Sequence, residues 1–226
     1  MTGTYPTGTD VGGEPPDGEL VRAARLEGVR SQQAFGVLLD SLSRPGSIHR
    51  IPTGVLVDGL PPALVLALAT ADVEVTVAVL RSVDEPDWAR LLSDATGARI
   101  APIEAAGCVT ALVAPSPDDI EVLRRGTALA PESAARLALS VTALTDGSTA
   151  ADDVVVGLQG PGVDGSITLG VTGIGAEVVE ALALANAAFP AGVDTWLVSD
   201  GGDVAAIPRS TSIEVRHRAA TTSGGH

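Results

Sequence analysis

The sequence predicts a single α/β domain in which a mixed β-sheet is covered by helices. Three observations predict it: helical and strand-like segments interleave, short glycine-containing turns join some strands, and no linker is long enough to force a second domain. We expect this domain to occupy residues 29–216. Residues 1–28, which begin with a segment rich in Gly, Thr and Pro, are expected to be a disordered leader, and residues 217–226 a polar tail.

Helical patterns come first along the chain. A polar helical stretch is expected around Glu19 to Glu27. A longer helix is expected to be capped by Ser31 and to end at Pro45-Gly46. The apolar residues of this longer helix share one face: Phe35, Leu38, Leu39 and Leu42.

The central part of the chain alternates strands with short helices. A short strand is expected at 47–51, and residues 61–71 are apolar on all sides, which indicates a buried helix. Val occupies every second position of 73–79, which predicts a strand with one buried face. Pro86 suits the first turn of a helix that ends near Gly97.

The next segments continue this alternation. Residues 108–113 are expected to form a strand. The sequence Ser116-Pro117-Asp118-Asp119 resembles a capping box at the start of a short helix. We interpret Asp118, Asp119 and Glu121 as charges that favour a helix start and not as an acid/base pair. A further strand is expected at 136–144.

The last part of the chain contains hairpin signals. Strands at 154–158 and 167–171 flank Asp164-Gly165, and strands at 193–199 and 204–207 flank Asp200-Gly201-Gly202. A helix is expected at 176–188 and a last strand around 213–215.

Charge and composition argue against several functions. The 226-residue chain has a formal net charge of −14, and all 14 of its basic residues are arginine. Because nucleic-acid binding depends on neutralising phosphates, we expect no nucleic-acid partner. Without lysine the chain has neither a Walker phosphate loop nor an anchor for pyridoxal phosphate, and we expect it to carry no cofactor of its own.

The sequence also favours a cytoplasmic location. No basic start is followed by an apolar run of the kind found in signal peptides. The longest apolar stretch, 60–80, is interrupted by Asp72 and Glu74, so we expect no membrane contact. Cys108 is the single cysteine, which excludes an internal disulfide and suits a reducing compartment.

Two glycine-rich segments have both a structural and a ligand-binding interpretation. Residues 160–165 satisfy the G-x-G-x-x-G pattern, but a strand follows them and Pro161 removes one amide donor, so a hairpin is favoured. Residues 170–175 lie nearer to a strand-to-helix turn, where a phosphate is physically possible, although a tight turn is favoured.

Histidine and cysteine give little support for a metal site. The three histidines, His49, His217 and His226, are far apart, and none has a helical partner four residues away. Cys108 precedes an apolar strand and is expected to be a small core residue. We therefore expect no metal.

One arginine is harder to explain as a surface residue. Arg209 lies beside Pro208 and two hydroxyl residues after a strand, a group able to bind an anion or the carboxylate of a partner. Because Asp194 also lies in a strand-edge motif, we expect Arg209→Ala and Asp194→Asn to weaken assembly with a partner protein more than folding.

Five segments together resemble a known family. They are FGVLLDSLSRPG (35–46), GTALAPE (126–132), LQGPGV (158–163), FPAGVDTWL (189–197) and IPRST (207–211). In order and spacing they resemble the H subunit of the bacterial carbon–phosphorus lyase system, the PhnH family, over about residues 29–216.

This resemblance implies a function in phosphonate catabolism. It implies a subunit that joins the G, I and J subunits in a core complex, which turns alkylphosphonates into ribose-1-phosphonate triphosphates before the carbon–phosphorus bond is cleaved. It also implies a fold similar to that of pyridoxal-phosphate-dependent transferases with the cofactor site lost, and a homodimer when the protein is isolated.

The resemblance supplies candidate motif or interface residues and no catalytic ones. They are Pro45, Gly46, Gly126, Pro131, Glu132, Gly160, Gly162, Phe189, Pro190, Gly192, Asp194, Pro208 and Arg209. We expect a structural or allosteric subunit without its own catalytic centre. Two alternatives stay open: an enzyme that binds a small phosphorylated ligand near Gly160, Gly173 and Arg209, and a homodimeric binding module.

Overall fold

The computed structural model describes residues 16–148 and 153–216, and these residues form six α-helices and two β-sheets. The helices are α1 (Gly18–Ala24), α2 (Gly28–Ser43), α3 (Val65–Thr70), α4 (Trp88–Thr96), α5 (Pro117–Glu121) and α6 (Ala176–Ala185). Short 3₁₀ turns occupy Pro62–Leu64 and Pro131–Ser133. None of the helices in the described ranges is long and apolar enough to cross a membrane.

The larger sheet has seven strands in the order β1-β10-β9-β5-β4-β2-β3. Its strands are β1 (His49–Arg50), β2 (Thr76–Leu80), β3 (Arg99–Ile100), β4 (Cys108–Ala111), β5 (Arg136–Val141), β9 (Asp194–Ser199) and β10 (Asp203–Ile207). Strands β3, β2, β4, β5 and β9 run parallel. At one edge β10 pairs antiparallel with β9, and β1 pairs antiparallel with β10. This sheet is therefore mixed, as the sequence predicted.

The smaller sheet is antiparallel, with the order β11-β7-β8-β6. Its strands are β6 (Ala143–Thr145), β7 (Val154–Gln159), β8 (Ile167–Thr172) and β11 (Ser212–Arg216). The sequence predicted one sheet and one strand over 136–144. That prediction is wrong because the N–H of Thr142 donates to the carbonyl of Thr172, so the chain leaves the larger sheet after β5 and enters the smaller one.

Two hydrophobic cores lie on opposite faces of the larger sheet. One face packs against the smaller sheet and against α5 and α6. The other packs against α1–α4, with Trp196 among its buried residues. Because the inner parallel strands are covered on both faces, consecutive residues such as Leu137, Ala138 and Leu139 are all buried.

Several local predictions are confirmed. Gly97 ends α4 in a left-handed conformation, although α4 begins at Trp88 after the cap Asp87, so Pro86 lies before the helix and not in its first turn. Ser116 and Asp119 form the capping box of α5. The segments around Asp164-Gly165 and Asp200-Gly201-Gly202 join antiparallel strand pairs, so residues 160–165 form a hairpin turn.

Helix α2 differs from its sequence-based description. It begins at Gly28, three residues before the expected cap at Ser31, and Glu27 precedes it without a side-chain cap. Phe35 and Leu39 are 51% and 53% exposed. The sheet packs instead on a side of α2 that contains Ala34 and Leu38, and the indole N–H of Trp196 donates to the Leu38 carbonyl. The small side chain of Ala34 allows this close approach.

Two further predictions need correction. Strand β2 begins at Thr76, and Val73 is exposed; within the strand Val77 and Ala78 are both buried, so burial is not confined to one face. Helix α1 is the helix expected around residues 19–27, and its Ala24 is buried in the core. Part of the range 1–28 therefore packs against the core, and the boundary of the leader stays a prediction. Residues 1–15 and the tail 217–226 lie outside the described residues.

Candidate functional site

The motif residues Arg209 and Asp194 meet in a half-buried ion pair. The Nε of Arg209 lies 3.1 Å from each carboxylate oxygen of Asp194, and its backbone N–H donates to Oδ1 at 2.8 Å. The side chains are only 14% and 22% exposed. Nη2 also donates to Oδ2 of Asp194, and Nη1 donates to the carbonyl of Pro131 at 2.6 Å. Arg209 thus ties β9, the segment after β10 and the 3₁₀ turn Pro131–Ser133 to one another.

Two motif glycines allow these segments to come together. A Cβ on Gly192 would lie 2.7 Å from Oδ1 of Asn186 and 2.9 Å from Cβ of Arg209. A Cβ on Gly126 would lie 2.9 Å from the Pro131 carbonyl oxygen. Neither position has room for a side chain. The glycines of GTALAPE and FPAGVDTWL therefore allow the chain segments around Arg209 to pack closely.

Asn186 was not singled out in the sequence, although it fixes the segment that leads into β9. Its carboxamide accepts a hydrogen bond from the N–H of Val193 at 2.8 Å and donates to the Val193 carbonyl at 3.3 Å. The N–H of Gly192 donates to the Arg125 carbonyl at 2.8 Å. The signal that could have found Asn186 is its position just after α6, where a short amide can bond nearby backbone.

A second contact joins the two other motifs to the segment that contains Arg209. A Cβ on Gly162 would lie 2.6 Å from the Ser43 carbonyl oxygen and 2.9 Å from Cδ of Pro45, so the hairpin turn packs on the end of α2. Gly46 lies against the side chains of Leu158 and Ile167 and donates to the Ala206 carbonyl at 2.9 Å. Gly160 approaches the backbone of residues 210 and 211.

The site expected near Gly160, Gly173 and Arg209 is not assembled. Gly160 follows β7 and Gly173 follows β8, and these antiparallel strands place the two glycines at opposite ends of the hairpin. Gly173 lies against Thr142 instead. The guanidinium of Arg209 is occupied by partners within the chain, so its carboxylate is internal and does not come from another protein.

The remaining motif residues lie around the Arg209 junction. Glu132 and Phe189 are exposed, and the Phe189–Pro190 peptide bond is cis. Pro208 is half-buried directly before Arg209.

An open cleft of about 470 Å³ lies beside this junction. We call it the amino-end cleft, because the residues that line it precede or begin the parallel strands β2, β4, β5 and β9. Its charged lining residues are Glu74, Arg124, Glu132, Arg136, Asp194 and Arg209. Three of the 14 arginines of the chain are therefore gathered in one place.

Four exposed apolar side chains belong to the segments that lead into the junction. They are Val122 at the end of α5, Leu129 in the loop before the 3₁₀ turn, Leu184 on α6 and Phe189 after α6. Helices α5 and α6 pack together, and the hydrogen bond from Gly192 to Arg125 joins the segments that follow them. We call these four residues the apolar corner. Leu129 is 98% exposed, so this part of the GTALAPE motif contributes nothing to the core.

The described residues contain no group of three or more His, Cys, Asp or Glu side chains that could hold a metal ion. Cys108 is fully buried at the start of β4, and this burial raises the pKa of its thiol to about 11, against the charge of Arg136, which lowers it. Such a thiol is a core residue, as the sequence predicted, and not a nucleophile.

Comparison with known proteins agrees with this arrangement of motifs. The model of the family described as bacterial phosphonate metabolism protein (PhnH) matches residues 26–214. A candidate C-P lyase subunit protein of Stutzerimonas stutzeri, HtxG, is 34% identical over 194 residues, which cover 83% of this chain and 87% of HtxG. The chain therefore belongs to the PhnH family of bacterial phosphonate metabolism proteins.

Proposed function

We propose that this chain is an assembly subunit of a cytoplasmic carbon–phosphorus lyase core complex, the transferase complex that makes ribose 1-methylphosphonate 5-triphosphate during phosphonate catabolism. Its partners in this proposal are the G, I and J subunits, and it forms a homodimer when isolated. The fold in this proposal is a pyridoxal-phosphate transferase fold that has lost its cofactor site, which agrees with the absence of lysine.

One observation carries the assembly role: the motif residues brace the fold and at the same time present apolar side chains to solvent. Arg209 is bound internally by Asp194 and Pro131, which supports a structural role for it. Leu129 and Phe189, which belong to two of the same motifs, are exposed. Contiguous exposed apolar patches are typical of protein–protein contacts, and in this proposal these residues form such a patch.

The occupant of the apolar corner in this proposal is another subunit of the complex. Removing large apolar side chains from water stabilises an interface by about 25 cal/mol per Å². Phe and Leu side chains that are exposed in the free chain contribute this stabilisation only when a partner covers them. Phe35 and Leu39 on α2, which are half-exposed and lie one turn apart, provide a second apolar patch that can take part in the same assembly.

Co-expression tests the proposal. The tagged chain is co-expressed with the G, I and J subunits and purified, and one stable complex that contains all four is expected. The double variant Leu129→Asp/Leu184→Glu places charges on the apolar corner, and its complex should dissociate during size exclusion. Val83→Asp is the matched control, because Val83 is exposed in the loop after β2, away from the corner.

Two outcomes would overturn this reasoning. If the wild-type chain elutes alone while the other three subunits assemble, the chain is not a subunit. If the double variant folds and assembles like Val83→Asp, the apolar corner is not the contact surface. Circular dichroism of each variant separates loss of assembly from loss of folding.

A further inference from the structure

We propose that the amino-end cleft binds a small tetrahedral oxyanion, a phosphate or phosphonate group, through the guanidinium groups of Arg124 and Arg136. Neither arginine belongs to the five motif segments, and the proposal does not depend on the assembly role. It rests on how these two charges are partnered within the chain.

Arg124 and Arg136 have almost no bonding partners. Nη1 of Arg124 lies 3.4 Å from the Ala105 carbonyl oxygen, and Nη1 of Arg136 lies 3.5 Å from that of Thr70, both at the limit of a hydrogen bond. Across residues 16–148 and 153–216, no carboxylate forms an ion pair with either guanidinium. A guanidinium carries several N–H donors, so most of the donors of both side chains are free.

This lack of partners is unfavourable because both side chains are half-buried. Partial removal of a charge from water raises the free energy of the folded chain unless a counter-charge is supplied. Arg209 in the same cleft shows the alternative, since Asp194 satisfies it with both carboxylate oxygens. The fold thus neutralises one arginine of the cleft and leaves two without an ion-pair partner.

The acidic residues of the cleft do not remove this imbalance. Glu74 and Glu132 line the cleft but are exposed, so water and salt screen their charges. Neither is an ion-pair partner of Arg124 or Arg136. On a chain with a net charge of −14, two free guanidinium groups in one cleft are a specific arrangement for an anion.

The number of oxygens favours a phosphate or phosphonate over a carboxylate. Arg124 follows α5 and Arg136 begins β5, so the two guanidinium groups reach the cleft from different elements. A tetrahedral oxyanion offers three oxygens and can accept from two planar guanidinium groups, whereas a carboxylate matches a single one. The cleft volume of about 470 Å³ leaves room for the organic part of a small ligand.

The amino-end cleft does not lie where α/β folds usually bind their ligands. Ligands of open parallel sheets usually bind beyond the carboxyl ends of the strands. Here β5 continues from its carboxyl end into β6, which lies against β9 and β10. The amino-end cleft lies at the opposite edge of the sheet.

Calorimetric titration of the isolated full chain at low salt tests the site with inorganic phosphate, methylphosphonate and acetate. We expect both phosphorus oxyanions to bind and to raise the melting temperature, and acetate to bind at least about tenfold more weakly. Arg124→Gln and Arg136→Gln should each weaken phosphate binding by at least about tenfold, since each removes charged hydrogen bonds. Arg44→Gln, which removes an exposed arginine outside the cleft, should bind like the wild type.

The unliganded variants give a second measurement. If the two arginines are held for an anion, Arg124→Gln should melt at or above the wild-type temperature without phosphate, because an unpaired half-buried charge is gone. Should Arg136→Gln fail to fold, Arg124→Gln decides alone. No binding by the wild type, equally tight acetate binding, or an unchanged affinity in folded Arg124→Gln would each overturn the site, and none of these results bears on assembly with other subunits.

Discussion

The ion pair between Arg209 and Asp194 should stabilise the fold more than any ion pair on the surface of the chain. Replacement of Arg209 by Gln removes the contacts to both oxygens of Asp194 and to the Pro131 carbonyl. It leaves Asp194, only 22% exposed, with the backbone N–H of residue 209. The motif alone suggested that assembly would suffer more than folding, but these internal partners shift the larger effect to folding.

The magnitude follows from burial. Breaking a fully buried pair costs about 3–5 kcal/mol, whereas an exposed pair contributes about 0–1 kcal/mol. At 14% and 22% exposure the Arg209–Asp194 pair lies nearer the buried limit. We expect Arg209→Gln to lower the free energy of unfolding by about 2–3 kcal/mol, which for a domain of this size lowers Tm by about 4–12 °C.

Urea unfolding of the full chain measures this change. Arg50→Gln is the matched control, because Arg50 contacts Asp203 at 2.7 Å but the two side chains are 64% and 34% exposed, so its loss should change stability by less than about 1 kcal/mol. Arg209→Lys should recover only part of the loss, since Lys keeps the charge but not the fork. A loss below about 0.5 kcal/mol in Arg209→Gln, or equal losses at both pairs, would refute the argument from burial.

Two further predictions concern packing and reactivity. Gly162→Ala should destabilise the fold by at least about 1 kcal/mol more than Gly165→Ala. Both positions have positive φ, but only at Gly162 would a Cβ meet a backbone oxygen, at a distance of 2.6 Å. Equal losses of stability in urea unfolding would contradict this prediction. Cys108 should react with a thiol reagent at pH 8 only after unfolding, because a thiol pKa of about 11 leaves about 0.1% of the thiol as thiolate. The urea-unfolded chain is the control, and rapid labelling of the native chain would contradict the prediction.

Local features of this fold were predictable from the sequence because their causes lie within a few residues. The capping box of α5 needs only Ser116 and Asp119, three residues apart. The hairpin at 160–165 needs a turn between two apolar runs, and its register brings Leu158 opposite Ile167. The end of α4 needs only Gly97, because glycine readily adopts the left-handed conformation that ends a helix.

Features decided by long-range contacts were not predictable. The division into two sheets depends on the pairing of β6 with β8, two strands separated by more than 20 residues of sequence. The exposure of Phe35 depends on the close packing of Ala34 and Leu38 against a strand far along the chain. The periodicity of apolar residues favoured Phe35 for the buried side of α2. Close packing instead favours the smaller Ala34 there.

The partners of the candidate site show the same limit. Arg209 was identified as unusual, but its acceptors are Asp194, 15 residues away, and a carbonyl at Pro131, 78 residues away. Any residue supplies a carbonyl, so no side-chain pattern could have indicated this contact. Sequence motifs identified the participants of the junction, and only the fold shows that they bind one another.

This distinction also separates the two roles proposed for the chain. The motif residues are satisfied internally, so their chemistry is used in holding the fold together and in presenting the apolar corner. Arg124 and Arg136 lie outside the motif segments and lack partners, so an external anion is the missing counter-charge for them. Substituting Arg209, which holds Asp194 in the same cleft, should therefore lower stability more than oxyanion affinity. Substituting Arg124 should do the reverse.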